Sequence, residues 1–458
     1  MAIETQELVE IRMQQAYREQ ASSLLRDIKQ GSHDIKGPPQ IGLEVEYSLV
    51  ENNGSPAQQT KRDSLVSANP SYLQLELGAA QIELTTDPEP IPGYGMSRVG
   101  SMLSTRQNQL AADASLQGLW LVRSGTNPTL PVPDIQKTLK PGYEKYVEAP
   151  NYYNRQRTAP NTTIGILERV DVGDLSIVSI LNSLQVNLEA ENATDAIDLL
   201  NRSLMISPNL VAISGNARYL AGRDTGMSDL RIAAWSTALD TRTPEQRRED
   251  TETRVGLPDR YYHSLEDYLE QAGKFPFILD KPDIAMKMGI GMYWKDARIK
   301  FTDSSILVES RPISTQPTND ENIAMVEFYL GRLAWSKATK ESLLPMTLVK
   351  INKDLVMKYG LDTKLWTIQD EVYSPQDART VLYTDLQKAE EGLEILDVPA
   401  YMREKLDILL DRLEEGTPSD KIHSLVSSAE SKGASRTEAI WQAVKNLEKR
   451  SYYQRYTG

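Results

Sequence analysis

The sequence predicts an α+β protein built on a sheet with one apolar and one polar face. Three observations predict it. Short runs such as Ile41-Gly-Leu-Glu-Val-Glu-Tyr47 alternate apolar and polar residues with the period of two of a strand. Runs of helical period lie between them, as at Ala196, Ile197, Leu200 and Leu204. Residues 320–458 read mainly as helices.

The elements follow in order. Residues 4–30 read as a helix with Leu8, Ile11, Tyr17, Leu24 and Ile28 on its apolar stripe, ended by Gly31-Ser-His33. Over 41–49, Ile41, Leu43, Val45 and Tyr47 point to one side of a strand and Gly42, Glu44 and Glu46 to the other. Glu51-Asn-Asn-Gly-Ser-Pro56 is turn-rich, and 51–68 is expected as a loop. Residues 72–86 read as a hairpin. A tight turn at Ala79-Ala80 places Glu76 opposite Glu83, and a one-residue shift breaks that register. Asp87-Pro-Glu-Pro-Ile-Pro92 stops the strand.

A helix is predicted over 95–117 and a short strand over 120–126. The stretch 127–162 is rich in Pro, Tyr and Asn, and irregular segments of that length are often functional. Residues 176–189 read as a strand whose end, Leu184-Gln-Val-Asn-Leu188, puts Gln185 and Asn187 on one face. A helix over 193–206, capped by Asn192 or Thr194, precedes Pro208 and a second helix to about 215. Gly222-Arg-Asp-Thr-Gly-Met-Ser-Asp-Leu-Arg231 reads as a polar loop, 240–260 as exposed charged loop, and 264–272 as a helix before further strands. Ile306-Leu-Val-Glu-Ser-Arg311 places Glu309 and Arg311 on one face. Breaks near 359–364, 374–376, 398–399, 416–419 and 432–435 divide the helical tail.

Composition narrows the chemistry. The net charge of −13 argues against a nucleic-acid or membrane-surface binder. The absence of cysteine excludes disulfides, thiol nucleophiles and thiolate metal sites. His33, His263 and His423 have no metal-ligand spacing, which argues against zinc. A bound metal would be held by oxygens, which points to Mg²⁺, Mn²⁺ or Ca²⁺. The chain starts without a basic, apolar leader and has no apolar run near the ~20 residues of a membrane span, so the expected compartment is the cytoplasm.

Glu44/Glu46, Glu76/Glu83, Gln185/Asn187 and Glu309/Arg311 all lie in short apolar strand-like runs. One such pair reads as a solvated sheet face. Four together favour a polar face lining a cavity, where converging carboxylates need cations. Mg²⁺ meets that need and binds substrate phosphates, which suggests ATP-dependent phosphoryl transfer. The chain has no Walker loop and no Gly-x-Ser-x-Gly elbow, so ATP would be held by metal and arginines.

In the same order, Gly42-Leu-Glu-Val-Glu-Tyr47, Ile82-Glu-Leu-Thr-Thr86, Ser183-Leu-Gln-Val-Asn-Leu188, Gly222–Arg231 and Val308-Glu-Ser-Arg311 resemble motifs of the glutamate–cysteine ligase superfamily. The likeness is greatest to its second bacterial type, the carboxylate–amine ligases, with plant-type features, and covers roughly residues 40–335. The resemblance implies a glutamine-synthetase-like, mostly antiparallel sheet curved into a funnel and flanked by helices. It implies that ATP phosphorylates a carboxylate, in the family the glutamate γ-carboxylate, and that an amine, cysteine or another, displaces phosphate to form an amide. It implies Mg²⁺ (or Mn²⁺) as cofactor and ATP as co-substrate. By motif match, Glu44, Glu46, Glu76, Glu83, Gln185 and Glu309 form the metal shell. The resemblance likewise implies that Arg231 and Arg311 bind phosphate or acyl phosphate and that Asn187 and Asn216 are candidates for substrate contact. Gln185 stands where much of the superfamily has histidine, and Gly125-Thr-Asn-Pro128 where many relatives have Gly-Thr-His-Pro. The plain readings beside these are a Glu309–Arg311 ion pair, a surface position for Arg231 and a helix C-cap for Asn216. Two other functions fit the same sheet: a phosphotransferase with a stable phosphorylated product, and a non-catalytic ligand binder.

The expected organisation is an N-terminal helix (1–32), a catalytic domain (33–335) and a helical C-terminal region packed on it (336–458). The first and last are assigned to packing or to contacts between copies in a homo-oligomer.

Overall fold

The computed structural model describes residues 2–131, 139, 162–277, 279–369 and 372–449. Eight strands form one sheet: β1 (Gln40–Glu51), β2 (Leu73–Leu75), β3 (Gln81–Thr85), β4 (Glu89–Pro90), β5 (Leu119–Val122), β6 (Ser183–Ala190), β7 (Ala297–Phe301) and β8 (Ile306–Ser314). Their order is β7-β8-β6-β1-β3-β2, with β4 and β5 also paired to β1, and every pairing is antiparallel. The predicted α+β class and antiparallel sheet are therefore present. Alternation builds the sheet's two faces. Ile41, Leu43, Val45 and Tyr47 are at most 1% exposed, and with Ile82, Leu84, Leu184, Val186, Ile299 and Val308 they form the buried apolar face.

That face packs on helices α3 (Gly95–Leu116) and α4 (Ala193–Ser214). The helix expected to break at Pro208 does not: α4 runs through it. Its neighbours hold it there, because nearly every residue from Ala196 to Ser214 is buried. Asn192 caps α4, accepting from the N–H groups of Thr194 and Asp195.

The polar face is roofed by α1 (Ala2–Lys29), α5 (Arg231–Ala238), α7 (Ala285–Gly291) and a 3₁₀ turn at Leu175–Ile180. α6 (Leu265–Ala272) lies between α5 and α7 in the chain, as predicted. Part of the expected stripe docks α1: Tyr17 and Ile28 are buried and Leu24 packs on the core, but the first turns are placed differently. Leu8 and Ile11 are exposed, and Met13, Tyr17, Ala21 and Ile28 are buried. Tyr17 decides this. Its ring lies against Gly273 and Gly289, where a Cβ would sit 2.5 and 2.7 Å from ring carbons, and its hydroxyl donates to the Leu269 carbonyl at 2.6 Å.

Other differences are local. Residues 59–68, expected as loop, form helix α2 (Gln59–Ala68), held by buried Leu65 and Arg62. The expected strand over 176–189 is a 3₁₀ turn followed by β6. The charged 240–260 segment contains a short helix, Pro244–Arg248, and buries Arg254. Most of 127–162 lies outside the described residues.

The expected boundary at 335/336 falls inside α8 (Asn319–Ala338), which packs on α4 and on the later helix α10 (Ala378–Ile395). Gly331 and Gly392 allow the second contact: a Cβ on Gly331 would lie 2.1 Å from the Ala389 carbonyl oxygen. Helix α9 (Met346–Tyr359) precedes α10, and α11 (Leu406–Glu415), α12 (Pro418–Ser431) and α13 (Arg436–Glu448) follow it. Between α9 and α10 the chain forms a hairpin, Lys364–Gln369 with Val372–Asp377, where only helix breaks were expected. Among the described residues no helix is long and apolar enough to cross a membrane.

Candidate active site

The polar face floors a cavity of about 930 Å³, walled by residues such as Leu24 of α1, Trp235 of α5 and Met286 of α7. Register places its polar side chains. In the β1/β3 pair Glu46 lies opposite Glu83, and in the β1/β6 pair Glu44 lies opposite Gln185. Across β6 and β8, Asn187 lies opposite Glu309. The hairpin register differs from the expected one by two residues: Gln74, not Glu76, faces Glu83. A shift of two keeps every side chain on its own face, so Glu76 still arrives at the cavity from the connection after β2. Oxygens of Glu46, Glu76 and Glu83 lie within 4.8 Å of one another.

The environment of these three carboxylates is costly without a cation. Burial, then repulsion from Glu76, pushes the Glu46 carboxyl up to about 7. Burial raises Glu76, and burial with repulsion from Glu44, Glu76 and Glu46 lifts Glu83 well above the usual range. Glu46 is held in place by donors: Ser183 N–H at 2.7 Å, the Ser183 hydroxyl at 2.9 Å and Gln185 Nε2 at 3.0 Å. The donor set is three hard carboxylate oxygens, which fits Mg²⁺ or Mn²⁺.

Glu309 is in a different state. Arg298 makes a two-nitrogen contact to it, Arg311 Nη1 lies at 2.7 Å and Lys300 Nζ at 3.0 Å. Although burial acts against ionisation, Arg298, Arg311 and Lys300 hold its carboxyl well below the usual range. The plain reading of an ion pair with Arg311 is thus present. As a metal ligand Glu309 would have to release one of these cations. Glu44 accepts from Lys300 Nζ at 2.9 Å and from Asn187 Nδ2 at 3.1 Å. Gln185 turns its amide oxygen to Arg311 Nη1, at 2.7 Å, and its amide nitrogen to Glu46.

A backbone irregularity positions Arg311, and side-chain hydrogen bonds position Arg231. β8 has one extra residue between Ser310 and Ile313, where Pro312 cannot donate to the ladder. There the Arg311 N–H donates to the Asp296 carbonyl at 2.8 Å, and its guanidinium sits 5.6 Å from the Trp235 ring centre. Asp296 is held in turn by Lys353 of α9. Arg231 is not a surface residue: it is 2% exposed at the start of α5. Its Nη2 donates to the Arg311 carbonyl at 2.8 Å, and its Nε reaches the Ser314 hydroxyl, which donates to buried Asp229.

Asn216 is neither a helix cap nor a cavity residue. Gly215 caps α4, and the Asn216 amide donates to the carbonyls of Arg123 and Thr315. Asn187 lies beside Glu44, and the cavity lining does not include it. Arg298 and Lys300 are the site residues that the sequence reading missed. Ala297-Arg-Ile-Lys-Phe301 shows the same alternation as the other strands, and that signal would have found them.

Comparison with known proteins agrees with this geometry. A family model described as glutamate-cysteine ligase family 2 matches residues 40–407. The chain belongs to this family. It is accordingly a carboxylate–amine ligase. A glutamate–cysteine ligase of Natronomonas pharaonis is 22% identical over 290 residues, 63% of this chain and 67% of that protein. The glutamate–cysteine ligase of Francisella tularensis, solved in complex with AMP, has a TM-score of 0.51 at 14% identity, covering 92% of this chain and 91% of that one. A bifunctional glutathione synthetase of Pasteurella multocida has a TM-score of 0.56 at 13% identity, covering 90% of this chain and 52% of that one. These two likenesses show a shared fold.

Proposed function

We propose that the chain is an ATP- and Mg²⁺-dependent ligase that activates the γ-carboxylate of glutamate and joins it to an amine, with cysteine as the first candidate. The observation that carries the reading is the division of one cavity into a carboxylate cluster, Glu46, Glu76 and Glu83, and a guanidinium side, Arg231 and Arg311. The names of the family and of the N. pharaonis relative support the choice of glutamate and cysteine.

A carboxylate is a poor acyl donor, so the reaction runs in two steps. A carboxylate oxygen of glutamate attacks the terminal phosphorus of ATP, and the bond to ADP breaks, giving an acyl phosphate. The amine nitrogen then attacks the acyl carbon. The carbon–oxygen bond to phosphate breaks, the nitrogen gives up a proton to the departing phosphate, and an amide remains. Glu46, Glu76 and Glu83 would hold Mg²⁺, with Gln185 beside them; when bound, the ion offsets charge on the phosphate oxygens. Arg311 uses Nη1 for Gln185 and Glu309, which among the described residues leaves Nε and Nη2 to hold an anionic oxygen. Asp229 and Ser314 fix the orientation of Arg231, so the guanidinium needs little reorganisation when the phosphoryl group arrives. The roof of α1, α5 and α7 shields the acyl phosphate from water.

The test is incubation with ATP, Mg²⁺, glutamate and a pool of amines that includes cysteine. Phosphate release with a new amide mass is the expected result. A stable phosphorylated product formed without amine would make the protein a phosphotransferase. Tight ATP binding without turnover across the pool would make it a ligand binder.

A further inference from the structure

Six residues were expected to share the metal, yet the structure sorts their carboxylates into two unlike groups. Glu46, Glu76 and Glu83 converge, and among the described residues none of them forms an ion pair. Glu44 and Glu309 also converge, but on an ammonium group. Lys300 Nζ lies 2.9 Å from a Glu44 oxygen and 3.0 Å from a Glu309 oxygen. These carboxylates come from β1 and β8, on opposite sides of β6. Two carboxylates reaching across a strand to one cation is the arrangement a bridging divalent ion would otherwise have.

We propose that the Lys300 ammonium takes the place of a second divalent cation on this sheet, so that the chain alone binds one metal ion, at Glu46, Glu76 and Glu83. The inference rests on the metal reading above and adds the number of ions. Three observations support it. First, Glu309 has no lone pair to spare: Arg298 and Arg311 share one oxygen, and Arg298 and Lys300 share the other. Second, the sheet itself fixes Lys300. It lies on β7 two residues from Arg298, which faces Glu309 in the β7/β8 register, so both cations share the polar face. Third, an ammonium has three donors. Glu44 and Glu309 take two, and the third has no protein partner among the described residues and belongs to a residue lining the cavity.

The exchange changes what this half of the site can do. A lysine supplies one positive charge that needs no loading, and it meets an anionic oxygen by hydrogen bonding rather than by direct metal coordination. A second divalent ion, where the reaction uses one, would then come with the nucleotide.

The experiment is a Mn²⁺ titration of the purified full chain without nucleotide, read as loss of the free-ion electron paramagnetic resonance signal. Wild type is expected to bind one Mn²⁺, and Glu83→Gln to lose it. Glu44→Gln is expected to keep one ion, because Lys300 already holds that carboxylate. Lys300→Gln releases Glu44 from its cation and opens the Lys300 position on one Glu309 oxygen, and it is expected to bind two ions. The double variant Lys300→Gln/Glu44→Gln is expected to return to one, and it also restores charge balance should the single variant fold poorly. Two ions in the wild type, or one in Lys300→Gln, would overturn the proposal while leaving the Glu46–Glu76–Glu83 site standing. No Mn²⁺ in any of the five proteins would overturn the metal reading and this inference with it.

Discussion

Glu46→Gln separates what the carboxylate does for stability from what it does for metal binding. The Glu46 carboxyl is pushed up to about 7 in the folded chain, against 4.5 as its ordinary value. A raised acid favours the folded state when protonated. Its contribution is fully present below 4.5 and is lost as pH rises through 7. The difference corresponds to about 3 kcal/mol, at about 1.4 kcal/mol per pH unit. Glutamine does not titrate, so the variant escapes this loss. It brings a cost of its own, because its amide nitrogen would face the Gln185 amide nitrogen, which now donates to Glu46 at 3.0 Å. A mismatched donor pair costs roughly 1–3 kcal/mol at every pH. In EDTA, the variant should therefore be less stable than wild type at pH 5 and should gain on it by about 3 kcal/mol by pH 8. At this chain length that is a swing of about 3 °C in melting temperature, at roughly 1 °C per kcal/mol. Mg²⁺ at about 100 times its dissociation constant should stabilise wild type by about 2.7 kcal/mol and the variant far less. Thermal melts at the two pH values, with EDTA and with Mg²⁺, measure all of this. A melting difference independent of pH, or equal stabilisation by Mg²⁺, would refute the reasoning.

Other perturbations probe separate parts of the molecule. Arg311→Lys keeps the charge but loses the fork that spans Gln185, Glu309 and the cavity; turnover should fall by about a hundredfold or more with little change in melting, as steady-state assays would show. Ser314→Ala removes the hydroxyl between Arg231 and Asp229, and should lower kcat by roughly tenfold without raising the KM for the amine. Glu448 accepts from the Trp120 indole N–H and the Arg123 N–H, and burial pushes its carboxyl up to about 7. Its stabilising effect is present below 4.5 and lost through 7, so Glu448→Gln should remove about 3 kcal/mol of the fall in stability between pH 5 and pH 8 in denaturant titrations. Gly331→Ala sets a Cβ against the Ala389 carbonyl and should cost several kcal/mol, about 3 or more, in the same titrations.

The site's two halves were not equally legible. The carboxylates were readable because alternation assigns side chains to a face without knowledge of the partner strand. Glu44, Glu46 and Glu83 needed only that rule, and Glu76 survived a register error of two residues because such an error does not change the face. Arg298 and Lys300 obey the same rule and were passed over, although their strand shows it as clearly. Asn216 was misjudged for a different reason: its partners, the carbonyls of Arg123 and Thr315, are about 90 and 100 residues away in the chain, as the contacts show. Helix α2 looked like a loop because its sequence has little apolar periodicity, and the burial of Leu65 and Arg62 holds it instead.

The sequence by itself determined the family, the α+β class and the set of polar residues on the sheet, because period and residue type are local properties. Only the tertiary structure decided how those residues divide. Among the described residues Glu46, Glu76 and Glu83 form no ion pair, and Glu44 and Glu309 are paired with Lys300, Arg298 and Arg311. The physical reason is that a carboxylate's state depends on charges within a few ångströms, and strand order across β7, β8, β6 and β1 sets those neighbours.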